Sequence, residues 1–525
     1  MTRERIFFWT TAAAAAVLRA LAFFRYRFDA DEQHHAHVAW GWTAGMVQYR
    51  DYFDNHAPLF HLLMAPWLAM FGERSDILLW MRLPMLALFA VVLWATYDIA
   101  KRVFDARIAA WSVLLLALFP PFFLKSLELR TDNLWVAFWM LALVGIVRRW
   151  PAFVIGLLLG CAFATSMKTT LLLISLAVAG GLTWFFRVRS REAPPRPGPL
   201  PQRGRGDWGL ALLGFVLVPG VLAFFFVSAG AWDALLYCNF TFNGNLARTR
   251  DNLWFARALF PFTFGALVWA AWRKRDAANA WAYFFALVIG VYTVTLFGFW
   301  ILISPRDFLP LMPLGAMFLA AFLARHSLPA TATVVALSIA SLWYYADRFE
   351  NRTAWHTTML DQALRLTRPG ELVIDLKGEL IYRHRPFYYA FELITRSQIA
   401  RGIIEDTVAR EVVRKRTYVA QADGPMWPPA ARAWLSDHFV NLGRLRAAGQ
   451  WVKPDGSFTI GVPGPYIVLD ANGVAVGTLD GTPHRGPREL AAGAHRWEGA
   501  EGVCVVWAPA FQRGHSPFHL RDLKF

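Results

Sequence analysis

Long apolar runs recur along this chain and leave it few ways to fold. They lie at 7–24, 77–100, 108–124, 133–147, 153–166, 171–186, 208–228, 253–272, 281–303, 308–323 and 328–345. Each is near the ~20 residues that a helix needs to cross a bilayer, though several are shorter. Lipid offers no partner to a free backbone N–H or C=O, so such runs become helices. Composition agrees with this reading. Hydrophobic residues make up 56% of the 525 and charged residues only 17%, against about a quarter in soluble domains. The 25 Trp and 43 Phe suit side chains that face lipid and its interfaces. About eleven spans are expected.

The charges between the runs set the orientation. Lys101-Arg102, Arg148-Arg149, the Pro-rich basic linker 187–205 and Arg273-Lys274-Arg275 all follow alternate spans and so fall on one side. Basic loops face the cytoplasm. The net charge of +16 is therefore a topological signal, and nucleic-acid binding is excluded. The N-terminus is expected inside, with the first run as an uncleaved signal anchor, and everything after residue 346 outside. For a bacterium that means the inner membrane and a periplasmic tail.

Against this background the stretch Phe28-Asp29-Ala30-Asp31-Glu32-Gln33-His34-His35-Ala36-His37 stands out. Three carboxylates and three imidazoles emerge directly from the first span, where an unpaired charge is expensive. These are the residue types of general acid/base chemistry. His34 and His37, three apart on a helix, together with Asp31, also invite a divalent ion. A histidine satisfied at the interface is the commoner outcome, and no metal ligand is assigned.

The order of pieces in this region carries a resemblance. Asp31-Glu32, then His35, His37, Trp40 and Gly45, then Tyr49-Arg50-Asp51 and His56-Ala57-Pro58-Leu59 resemble the first outer loop of GT-C glycosyltransferases. The branch is that of protein O-mannosyltransferases and the lipid A aminoarabinose transferase. Ala57-Pro58-Leu59 stands where the family has Pro-Pro-Leu. The resemblance covers about residues 7–345. It implies an α-helical polytopic membrane enzyme that moves a sugar from a polyprenyl-phosphate carrier to an acceptor glycan, lipid or protein, with membrane lipids around it. It implies Asp31 as catalytic base, Asp29 as its substitute, and Glu32 as the group that orients Asp31 or binds sugar hydroxyls.

Four later sites follow from the same comparison. Arg130 and Asp132, in Leu129-Arg130-Thr131-Asp132-Asn133, match a second outer acidic site that positions the sugar. Lys168, at a tight turn between two spans, matches a lysine that meets the donor phosphate as a point charge. Arg306, in Ser304-Pro305-Arg306-Asp307, can clamp phosphate oxygens with its planar fork. His56 and His35 are expected on the sugar or acceptor, with one of His56 and His61 packing at the interface. No Walker loop or Rossmann fingerprint is present. No cofactor is required, because activation is stored in the lipid-linked donor.

After residue 346 the spans give way to soluble patterning. The segment 371–376 reads as a strand, 394–416 as an amphipathic helix, and 417–421 as a second strand. Residues 466–479 read as a hairpin turning at Asn472-Gly473. A three-part chain is expected: a membrane module 1–345, an α/β unit 346–450 and a β-rich unit 451–525. The three cysteines, Cys161, Cys238 and Cys504, are too sparse for a disulfide framework. Two other functions fit the same pattern, a transporter or flippase of a lipid-linked sugar and a non-catalytic envelope protein that binds glycan.

Overall fold

A computed structural model describes residues 2–189, 206–245, 280–300 and 302–518. Most of the 187–205 linker, the run 253–272 and the basic triplet 273–275 lie outside the described residues. Within them, six helices are long and apolar enough to cross a membrane: Arg3–Arg25 (α1), Ile77–Val103 (α4), Thr131–Arg148 (α7), Asp207–Ser228 (in α10), Ala280–Phe299 and Leu328–Tyr345. Shorter apolar helices accompany them at Ala106–Leu118 (α5), Ala152–Thr165 (α8), Thr169–Arg189 (α9) and Met312–Leu323. Every expected run among the described residues is helical. The run 308–323 becomes helical only from Met312, and the helix of 281–303 ends at Phe299; the run 108–124 departs further. It breaks at Phe119-Pro120 into α5 and a short Pro120–Lys125 helix (α6), because proline cannot donate to the preceding turn.

The bundle has two chemically different ends. At one, Glu4 meets Arg107 at 2.7 Å and Asp98 meets Arg148 at 2.9 Å. At the other stand the polar segments 26–32, 125–132 and 304–307, together with the whole C-terminal domain. Helices α8 and α10 touch along their backbones. A Cβ at Gly156 would lie 2.0 Å from the Ala211 carbonyl oxygen, one at Gly160 2.3 Å from that of Phe215, and one at Gly214 2.2 Å from that of Phe153. Small residues spaced four apart permit this approach, which is how helices gain packing where lipid offers no hydrophobic drive.

Between α1 and α4 the chain folds back as two helices, Ala30–Thr43 (α2) and Leu59–Ala69 (α3). The C-terminal domain sits on them. Phe28, Ala36, Phe60 and Met64 share one continuous apolar core with Met359, Leu360, Val373 and Trp427. Polar contacts reinforce it. Arg352 donates its backbone N–H to the Arg25 carbonyl at 2.8 Å, and Arg383 meets Glu73 at 2.7 Å.

The C-terminal domain holds two sheets. Seven strands form one: Val419–Ala420 (β1), Phe439–Asn441 (β2), Arg446–Trp451 (β3), Gly464–Asp470 (β5), Gly473–Val474 (β6), Arg488–Leu490 (β9) and Cys504–Trp507 (β11). Ser457–Ile460 (β4), Gly477–Leu479 (β7), Thr482–Pro483 (β8) and Gly493–Gly499 (β10) form the other. β3 pairs with both β1 and β11, so the expected division at 450/451 passes through one sheet. The hairpin at Asn472-Gly473 forms for two pairs, Leu469 with Val474 and Asp470 with Gly473. The chain then crosses to the other sheet. The 371–376 segment is extended but bridges only once, Ile374 beside Ala420. The expected helix 394–416 is two helices, Leu393–Ala400 and Val408–Arg414. Gly402, at φ +69°, ends the first, as a left-handed glycine commonly does. Asp406 accepts the Val408 N–H at 3.2 Å and starts the second. All three cysteines are free thiols.

Candidate active site

The site begins with a helix start. Asp29 caps α2 by accepting the Asp31 N–H at 3.1 Å, and the Glu32 side chain reaches back to the Asp29 N–H at 3.0 Å. This reciprocal cap satisfies two donors that a helix start leaves free. It fixes Asp31 and Glu32 on different sides of the first turn, and their fates differ.

Glu32 turns inward. It is fully buried and forks onto Arg82 of α4 at 2.6 and 2.9 Å, while Oε2 accepts the Leu129 N–H at 3.0 Å. Arg82 also donates to the carbonyls of Tyr26 and Arg27 at 3.0 and 2.8 Å. Glu32 thus ties α1, α2, α4 and the 126–130 loop together and presents no oxygen to a substrate. Of the two parts expected of Glu32, this geometry suits orienting Asp31 rather than binding sugar hydroxyls.

Asp31 turns toward a cluster of cations. Its Oδ2 accepts from Arg130 and, at 2.8 Å, from Arg306, and its Oδ1 from Lys377. Burial alone would push the Asp31 carboxyl up, but Arg130 and Lys377 outweigh it and hold the group well below the usual carboxylate range. Arg130 also reaches Asp29 at 3.1 Å and Asp132 at 3.4 Å. The expected residues Asp29, Asp31, Arg130, Asp132 and Arg306 therefore form one contiguous group. Arg306 arrives on a capped turn in which Asp307 accepts the Ser304 N–H at 2.6 Å. Lys168 is bound to that same Asp307 and stands over Trp300 at 5.5 Å. Its contact with the cluster runs through the 304–307 turn and not directly to Asp31.

A second centre adjoins the first. Asp54 is completely buried and accepts from His34 Nε2 at 3.0 Å, His56 Nδ1 at 2.8 Å and Gln48 at 2.6 Å. Burial alone would push its carboxyl up, but His56 and His61 hold it well below the usual range. Burial would lower His56, but the charge of Asp54 and the hydrogen bond to it raise it. His35 bonds His61 at 2.8 Å, and its ring lies 4.7 Å from that of His56. His34, Asp54 and His56 offer ligand atoms within 4.8 Å of one another. The ring nitrogens nearest Asp54 already donate to its carboxylate, so hydrogen bonds account for the arrangement. The expected His34/His37 pair does not form. His37 Nδ1 donates to the Ile381 carbonyl at 2.7 Å, and its ring stacks on Trp40.

Two of these groups escaped the sequence reading. Lys377 lies in the tail, with no local pattern to mark it. It is placed by a tight loop in which Gly378, at φ +103°, passes so close to His37 that a Cβ would lie 2.5 Å from the His37 Cβ. Asp54 is two residues from His56, and that spacing was the available signal. From the same tail, Glu392 accepts from Asn55 at 2.9 Å.

Comparison with known proteins adds the following. Residues 55–191 match the family described as dolichyl-phosphate-mannose-protein mannosyltransferase. Two solved structures of ArnT from Cupriavidus metallidurans share the fold. The form bound to undecaprenyl phosphate aligns over 83% of this chain and 97% of its own, at 14% identity and a TM-score of 0.56. The apo form aligns over 85% and 98%, at 14% identity and a TM-score of 0.57. No curated protein matches the chain by sequence. The resemblance read from the first loop is borne out at the level of fold: this is a multi-pass membrane protein of the GT-C fold with a strand-rich C-terminal domain.

Proposed function

We propose that this GT-C chain is a glycosyltransferase that moves a sugar from a polyprenyl-phosphate carrier to an acceptor hydroxyl, with Asp31 as base. The observation that carries the reading is the meeting of Arg130, Arg306 and Lys377 on one carboxylate. Arg306 and Lys377 are partly open to solvent, with 28% and 14% of their side chains exposed. Cations gathered from distant segments onto a partly open site suit a lipid phosphate.

The chemistry follows from competition for those cations. A donor phosphate that draws Lys377 and Arg306 away from Asp31 leaves Arg130 as its main cationic partner, and the carboxylate becomes a stronger base. The acceptor oxygen attacks C1 of the sugar, and the bond from C1 to the phosphate oxygen breaks. The phosphate leaves with the electron pair onto Arg306 and Lys377, and the acceptor proton passes to Asp31. Attack opposite the leaving group inverts C1. Arg130 holds Asp31 in place, and Asp29 and Asp132 balance Arg130. Lys168 positions the turn that carries Arg306.

The charged cluster lies at the helix ends and not midway along them, which favours transfer over translocation. The basic residues at the opposite end favour the outer face of a bacterial inner membrane for the site. The ArnT structure contains undecaprenyl phosphate, which makes that carrier the first to try. Purified protein in lipid nanodiscs, given radiolabelled undecaprenyl-phosphate sugars and an envelope extract as acceptor, tests the reading. Label leaving the carrier only when acceptor is present supports it. A carrier that crosses the membrane with its sugar intact supports a flippase instead.

A further inference from the structure

The hydrogen bonds around Asp54 fit one arrangement of protons in the histidine cluster, traced from Trp42. The Trp42 indole donates to Gln48 Oε1 at 2.9 Å, so the Gln48 amide nitrogen faces Asp54 at 2.6 Å and His61 Nδ1 at 3.4 Å. His61 Nδ1 therefore accepts, and its proton sits on Nε2, which donates to His35 Nδ1 at 2.8 Å. The His35 proton is then on Nε2. That N–H is buried and has no hydrogen-bond partner among the described residues.

The other branch ends in the opposite way. His34 Nδ1 lies 2.8 Å from the Lys377 carbonyl and Nε2 3.0 Å from the Asp54 carboxylate. Both partners only accept, so His34 carries two protons and a positive charge that offsets Asp54. His56 Nδ1 donates to Asp54 at 2.8 Å, and above its raised pKa the ring is neutral with a lone pair on its Nε2. The His56 side chain is 31% exposed. Two adjoining rings thus end in one unmatched donor and one unmatched acceptor. An unmatched buried donor is costly unless a ligand meets it.

We infer that His35 and His56 together hold one uncharged hydroxyl of the donor sugar, and that they reject a donor carrying an ammonium or a carboxylate at that position. A hydroxyl accepts from His35 Nε2–H and gives its own proton to His56 Nε2. An ammonium has no lone pair for His35. A carboxylate has no proton for the neutral His56 ring. His35 lies one helical turn along α2 from Asp31, a rise of about 6 Å, and the His56 ring is 4.7 Å from it, which sets both beside a sugar whose phosphate is on Arg306 and Lys377. This inference rests on the glycosyl-transfer reading and names a hydroxyl contact of its donor.

The test is a donor panel at pH 8 with the full-length protein in nanodiscs. The donors are undecaprenyl phosphate linked to mannose, glucose, glucosamine and glucuronate, and to the monodeoxy forms of the better neutral sugar. Glucosamine is expected to fall at least about tenfold below glucose in kcat/KM if the hydroxyl is at C2, and glucuronate if it is at C6. One deoxy position is expected to cost wild type about tenfold through KM, and to cost His35→Phe or His56→Gln less than threefold. The His56 variant answers the question if His35→Phe does not fold. No deoxy penalty at any position, or one equal in wild type and variants, overturns the inference and leaves the reaction standing. Transfer from none of these carriers removes the reaction reading and this inference with it.

Discussion

Arg306 donates to Asp31 at 2.8 Å from 275 residues further along the chain. A first-loop carboxylate and a cation from the turn before the Met312–Leu323 helix are thereby brought into one site. The same carboxylate receives Lys377 from the C-terminal domain. That domain is thus part of the site and not an appendage, and the consequences can be measured.

Lys377→Met removes one of the two charges assigned to the departing phosphate and keeps most of the stem. A hydrogen bond to a charged group is worth roughly 1.5–3 kcal/mol. Donor kcat/KM should therefore fall about 10- to 100-fold while the protein remains folded. Steady-state kinetics with a labelled donor measures it. Unchanged kinetics would confine Lys377 to a structural part.

Glu32→Ala leaves Arg82 buried and unpaired. Breaking such a pair costs roughly 3–5 kcal/mol, so the thermal midpoint in detergent should fall sharply. Glu32→Gln, which keeps the shape and one of the two acceptor oxygens, should lose less. A Glu32→Ala protein of wild-type stability that has lost turnover would restore Glu32 to the chemistry.

His37 gives a pH signature. Burial, with Arg385 nearby, holds its ring well below the usual histidine range, so the folded chain keeps it neutral while the unfolded chain takes up a proton near 6.5. Its contribution is present above pH 6.5 and is lost as pH falls below it. His37→Asn retains an N–H toward Ile381 without that proton. The stability difference, wild type minus variant, should shrink by about 2 kcal/mol between pH 6.5 and 5. A difference independent of pH would contradict the neutral ring.

Hydrogen bonds account for the His34, Asp54 and His56 arrangement. Transfer should therefore persist after dialysis against EDTA. Loss of turnover in EDTA that Mn²⁺ or Zn²⁺ restores would place an ion at this centre.

The parts of the fold that the sequence made legible are those the bilayer dictates. Span length is fixed by hydrocarbon thickness, so runs such as 77–100 could be read directly. Asp31, Arg130 and Arg306 were legible because each charge sits at a span end, where only partners or function repay it. Lys377 was not, since a lysine in a soluble domain has no such cost to betray it. Glu32 looked like its neighbour Asp31 in sequence. Only the reciprocal cap with Asp29 shows that the two carboxylates face opposite ways. The helix expected at 394–416 failed because spaced apolar residues outweighed Gly402, and Ile403 is in fact exposed while Ile404 is buried.

Asp31→Asn tests the central claim most directly, measured two ways on one preparation. The account predicts that transfer falls at least about 100-fold, at the low end for loss of a general base. It also predicts that undecaprenyl phosphate binds as tightly as to wild type or more so, because Arg306 and Lys377 no longer share a carboxylate. Undiminished transfer, or an affinity for the lipid phosphate that falls in step with the rate, would contradict it.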